Sequence, residues 1–93
     1  MISNYCIVCE NKKTKVRYLV RLSTNSFKKS LNDIQLSHDV LDVGTDDGDD
    51  EEYIYLFEHY SIKFENVKRE YMRYWWNTIL LKIFLKKKHN TIL

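Results

Sequence analysis

Proline and alanine are absent from this 93-residue chain, and glycine occurs only at Gly44 and Gly48. Two isolated glycines cannot build a glycine-rich phosphate loop. Cysteine is nearly as scarce. Cys6 and Cys9 have no second pair, and His38, His59 and His89 show no paired ligand spacing, so a closed zinc site lacks its ligands. No apolar run reaches the ~20 residues that a membrane span needs. The longest, residues 74–85, is too short and contains Lys82, so no membrane partner is expected. Residues 1–10 lack a basic start and a long apolar segment, so no secretory signal is expected. Together with two cysteines, this places the chain in a reducing, intracellular compartment, cytoplasm or nucleus, with free thiols.

What is present is lysine, asparagine, isoleucine and tyrosine in abundance. With alanine and proline missing, that balance reads as translation of an AT-rich genome, viral, phage or parasitic. At 44% apolar with seven tyrosines, the chain is no disordered tail. Its length fits one small domain over residues 1–93. The net charge of +2 conceals an acidic stretch between Asp42 and Glu52, and the rest is correspondingly basic.

Residues 4–10 and 15–22 read as two strands, the second by its alternation, and predict a β-hairpin turning at Asn11-Lys12-Lys13-Thr14. Ser23 to Ser26 offer N-caps for a short helix over 26–36, with Phe27, Leu31 and Ile34 on one face. Residues 39–43 read as a short strand or an irregular edge. Residues 44–52 read as a flexible acidic loop, because like charges so dense stay solvated. Residues 53–57 read as a third strand, with Tyr53, Tyr55 and Phe57 on one face.

Tyr60, Phe64, Val67, Tyr71, Tyr74, Thr78, Leu81 and Leu85 recur at alternating spacings of four and three, which predicts a long C-terminal helix. Beyond Trp75 that helix is apolar all round, more than a small sheet can cover. The expected fold is therefore α+β: N-terminal hairpin, short helix, acidic loop, third strand and a long, aromatic-rich C-terminal helix. Its spare surface nominates Tyr71, Tyr74, Trp75, Trp76, Ile79, Leu80, Ile83 and Phe84 as partner-binding residues.

No serine or cysteine sits in a recognisable nucleophile motif, so no catalytic residue, metal or cofactor is assigned. Cys6 and Cys9 lie three apart in a strand, on opposite faces, and cannot grip one metal. An EF-hand register fails at the acidic stretch: with Gly48 at the glycine position, Val43 and Thr45 stand where acids belong. His59, beside Glu58, is the one residue to test as an acid or base. Lys12, Lys13, Lys15, Arg17, Arg21, Lys28 and Lys29 suit phosphates if they share a face, which makes a small nucleic-acid-binding protein the alternative.

Ser26, Phe27, Lys28, Leu31 and Asp33, followed by the acidic loop at 46–52 and the strand Ile54 to Leu56, resemble the elongin C and F-box-adaptor family of the POZ (BTB) fold. That resemblance spans roughly residues 5–67. It implies an adaptor joining a ubiquitin-ligase scaffold to another protein. The expected function is a non-enzymatic protein–protein interaction module, an adaptor or a host-factor-binding accessory protein, with self-association as a homodimer also open.

Overall fold

A computed structural model describes residues 1–74. An apolar run followed by an alternating segment sets its first elements. β1 (Ser3–Asn11) and β2 (Arg17–Thr24) pair antiparallel, from Ser3 opposite Thr24 to Glu10 opposite Arg17. Their turn lacks glycine, and Lys15 takes the left-handed backbone conformation instead, at φ 64°. The Asn11 side-chain oxygen accepts the backbone N–H groups of Lys13 and Thr14 at 2.9 and 3.0 Å, which closes the turn.

α1 (Phe27–Gln35) starts from the serine- and asparagine-rich stretch after β2. Within it the Ser30 hydroxyl donates to Thr24 Oγ1 at 2.6 Å, so both buried hydroxyls are satisfied. β3 (His38–Thr45) pairs antiparallel with the outer side of β1, with a bulge where Val8 faces Asp42 and Cys9 faces Val40. α2 (Asp50–Tyr60) is capped by Asp49, which accepts the Glu51 N–H at 3.0 Å. Asp50, Glu51 and Glu52 fill its first turn, where negative charge complements the helix dipole. It ends at Ser61 in the left-handed conformation, φ 54°. A 3-10 turn, Phe64–Asn66, leads into β4 (Val67–Met72), which pairs parallel with β2.

The sheet order is β3-β1-β2-β4. β2, β3 and β4 run together, and β1 runs against them. α1 carries the chain from β2 to β3 over one face, and α2 carries it back from β3 to β4 over the other. Opposite directions over opposite faces give both crossovers the same hand. β1 is consequently covered twice, and Cys6, Ile7, Val8 and Cys9 are all buried. Cys6, Val8 and Leu19 pack with Leu56 and Ile62 on the α2 face. Ile7, Cys9, Val20 and Leu22 pack with Ile34 on the α1 face. The two thiols thus point into different cores.

Three expectations are corrected. Residues 53–57 are helix, not a third strand: Tyr53, Leu56, Phe57 and Tyr60 recur at helical spacing, and the buried Leu56 is the side chain that α2 drives into the core. The same finding puts Ile54 and Leu56, which the adaptor resemblance sets in a strand, on a helix. The flexible acidic loop over 44–52 shrinks to residues 46–49, since Gly44 and Thr45 end β3 and Asp50, Glu51 and Glu52 open α2. No long helix spans residues 60–74: α2 ends at Tyr60 and 67–72 is strand. β2 would otherwise leave a row of backbone donors and acceptors unpaired, and β4 satisfies them. The remainder of the expected helix, residues 75–85, lies outside the described residues.

Candidate interaction edge

The charged side chains of the α2 face are largely spent on one another. Arg21 Nε donates to Asp46 Oδ2 at 2.9 Å, and its guanidinium lies 5.1 Å from the Tyr53 ring centroid. The Tyr53 hydroxyl donates to Asp46 Oδ1, and the Gly48 N–H donates to the same oxygen at 3.1 Å. Burial alone would raise the Asp46 pKa. The hydrogen bonds from Tyr53, Arg21 and Gly48 outweigh it and hold the carboxyl below its ordinary range. Burial and the adjacent Asp46 push the Tyr53 hydroxyl up to about 12. Nearer the hairpin turn, Arg17 Nε donates to Glu10 at 3.2 Å and Arg17 Nη1 to the Tyr60 carbonyl at 2.9 Å. The Tyr60 hydroxyl donates to Asp42 at 2.9 Å.

The thiols are quiet. Burial, with Asp46 and Glu52 nearby, raises Cys6 to about 11, and burial raises Cys9 to about 11 against the pull of Lys68. Both stay protonated at neutral pH, and a protonated thiol is a poor nucleophile. His59 stacks on Tyr55, ring centroids 5.3 Å apart, on the outer side of α2. Among the described residues no group of three or more His, Cys, Asp or Glu is placed to hold a metal ion. Nor is any described helix long and apolar enough to cross a membrane.

The basic residues singled out from the sequence do not converge. Lys12, Lys13 and Lys15 occupy the hairpin turn, and Lys12 Nζ donates to the Gln35 carbonyl at 2.8 Å. Arg17 and Arg21 face α2 and are engaged there. Lys28 and Lys29 sit on the first turn of α1, at the opposite end of the eight-residue β2. At ~3.3 Å per residue, that is roughly 25 Å from the turn.

The partner-binding set fares differently. Tyr71 lies on β4, 60% exposed. Tyr74 is fastened: its backbone N–H donates to Asn25 Oδ1 at 2.7 Å, and the Asn25 amide donates back to its carbonyl at 2.8 Å. Its hydroxyl donates to Asp33 on α1, and Lys29 Nζ lies 5.7 Å from its ring centroid. The chain therefore leaves β4 at a fixed point beside the start of α1. Trp75, Trp76, Ile79, Leu80, Ile83 and Phe84 lie outside the described residues.

β4 is an edge strand of the described sheet, so half its backbone N–H and C=O groups point away from β2. A groove flanks it on each face. On the α2 side, Asn4, Arg21, Ser23, Asp46, Arg69 and Tyr71 line a polar groove of about 530 Å³. On the α1 side, Tyr18, Val20, Ile34, Lys68 and Met72 line a smaller one of about 240 Å³. Lys68 Nζ lies 4.8 Å from the Tyr18 ring centroid in that groove. Lys68, Arg69, Met72 and Asn25 escape the sequence reading. The signal available for the first three was a charged centre between apolar ends, Val67 and Met72, which suits an edge strand. No protein-family model, curated protein or solved structure matches the chain.

Proposed function

We propose that the chain is a non-enzymatic protein-interaction module that engages its partner along β4 and the aromatic residues that follow it. One observation carries this reading: a sheet edge that is unpaired among the described residues bears the exposed Tyr71 and opens onto a groove on either face. Strand edges recruit extended partner segments through main-chain hydrogen bonds, and neighbouring grooves sort the side chains. The clamp on Tyr74 supports it, since it fixes the end of the edge and so lowers the ordering cost of binding there. The partner is a host factor if this is a viral or phage accessory protein, or a ligase scaffold if the elongin C resemblance holds. Two buried, protonated thiols suit an intracellular site of action.

The test is affinity capture with the full chain, followed by quantitative binding of what is captured. Tyr71→Ala and Trp76→Ala each weaken binding by about 2 kcal/mol or more, as aromatic anchors do. Added salt leaves the affinity largely intact. Steep weakening with salt, with loss on combined Lys12, Lys13 and Arg17→Ala and none on Tyr71→Ala, indicates phosphate binding and overturns the reading.

A further inference from the structure

Resting on that reading, we infer that the partner contributes an acidic, extended segment, which adds as a further strand beside β4 with a carboxylate facing Arg69. The charge pattern of the edge points there. Arg69 lies beside Arg21 across the β2–β4 pairing, on the same face. Arg21 is neutralised by Asp46, whereas Arg69 makes no ion pair among the described residues. Lys68 adds positive charge on the other face, with Glu70 the one acid of the strand. Lysine and arginine on an edge discourage apolar strands from pairing. An acidic strand is the kind they admit.

A second copy of this chain fits less well. Two-fold antiparallel pairing of β4 with itself opposes Glu70 to Glu70 when centred there, and when centred on Arg69 it matches Lys68 with Glu70 only around an Arg69–Arg69 contact at the axis. Like charges directly opposed destabilise a ladder. β3, the other edge of the described sheet, is bulged at its centre, which interrupts the ladder a second copy would need. On the α1 side, Met72, Val20 and Ile34 offer an apolar floor. Successive residues of a strand point to opposite faces. The segment that fits therefore alternates acidic and apolar side chains.

The test uses the full chain and two synthetic extended peptides, one alternating glutamate with valine and one alternating lysine with valine, followed by NMR. The glutamate peptide shifts the backbone resonances of residues 67–72, and the lysine peptide does not. Arg69→Glu, at an exposed position, weakens the glutamate peptide about tenfold and transfers binding to the lysine peptide. The inference fails if neither peptide binds, if both bind equally, if Arg69→Glu changes nothing, or if the chain self-associates through β4. If Tyr71→Ala abolishes partner capture while Arg69→Glu leaves it intact, the interaction module stands and the acidic segment falls. If both variants leave capture intact, both fall.

Discussion

The two edges of the described sheet are held differently. β3 is tied down at points, with Asp39, Leu41, Val43 and Thr45 exposed. Tyr60 reaches across to Asp42, and α1 packs against the strand. Just past its end, Asp46 is gripped by Arg21 and Tyr53. β4 is shorter, and Lys68, Arg69, Glu70 and Tyr71 face solvent. Its side-chain contacts are weaker in kind, such as Lys68 over the Tyr18 ring. Side chains along one edge are more engaged within the chain, and those along the other point more to solvent. Substitutions on the β3 side should therefore cost stability, and substitutions on β4 should cost binding.

The largest effect expected is at Leu56, the one buried residue of α2 and the anchor of that helix against the sheet. Leu56→Ala should lower unfolding free energy by about 2–5 kcal/mol in denaturant titrations. A loss below 1 kcal/mol would mean that α2 does not hold the β3 side. Next comes the Asp46 grip. Asp46→Ala leaves Arg21 and Tyr53 without their partner and should cost about 1–3 kcal/mol at neutral pH. Because the folded-state pKa of Asp46 is depressed, its contribution is present above the ordinary carboxylate range and fades as pH falls. Wild type and variant should therefore converge in acid.

Alkali tests the same side from the other direction. Tyr53, Cys6 and Cys9 hold their protons more tightly when folded, with values raised to about 12, 11 and 11. Stability they contribute is complete below the thiol value of 9.0 and drains as pH rises towards about 12. Tyr53→Phe should flatten the upper part of that decline while leaving the thiol part. The smallest effect on stability belongs to β4. Tyr71→Ala should stay within about 0.5 kcal/mol of wild type, while partner binding drops. A large stability loss there would assign Tyr71 to the core and erase the contrast between edges.

Much of the first half of the fold is legible in the sequence. The apolar run of β1 and the alternation of β2 are clear, Ser23 to Ser26 mark the start of α1, and the three-residue spacing of the cysteines places them on opposite faces. α2 is harder because two periods coexist in it. Tyr53, Tyr55 and Phe57 alternate like a strand, while Tyr53, Leu56, Phe57 and Tyr60 follow a helix. Asp49 followed by Asp50, Glu51 and Glu52 decides between them, as a cap and a dipole-matched first turn. Taken as a run of like charge, those residues look only like a solvated loop. β4 is the least legible element. Its charged centre has weak alternation, and it becomes a strand through long-range pairing with β2, which no local window contains. The interaction edge was therefore only half visible. Tyr71 and Tyr74 stand out as aromatics, but Lys68 and Arg69 gain meaning only once β4 is known to be an edge.

Backbone amide hydrogen exchange along β4, on the full chain with and without its captured partner, tests the open-edge account most directly. The outward-facing amides among Val67–Met72 should exchange quickly in the free chain and slow markedly in the complex. If those amides are already slow when the chain is alone, or stay fast when the partner is bound, β4 is not where the partner docks.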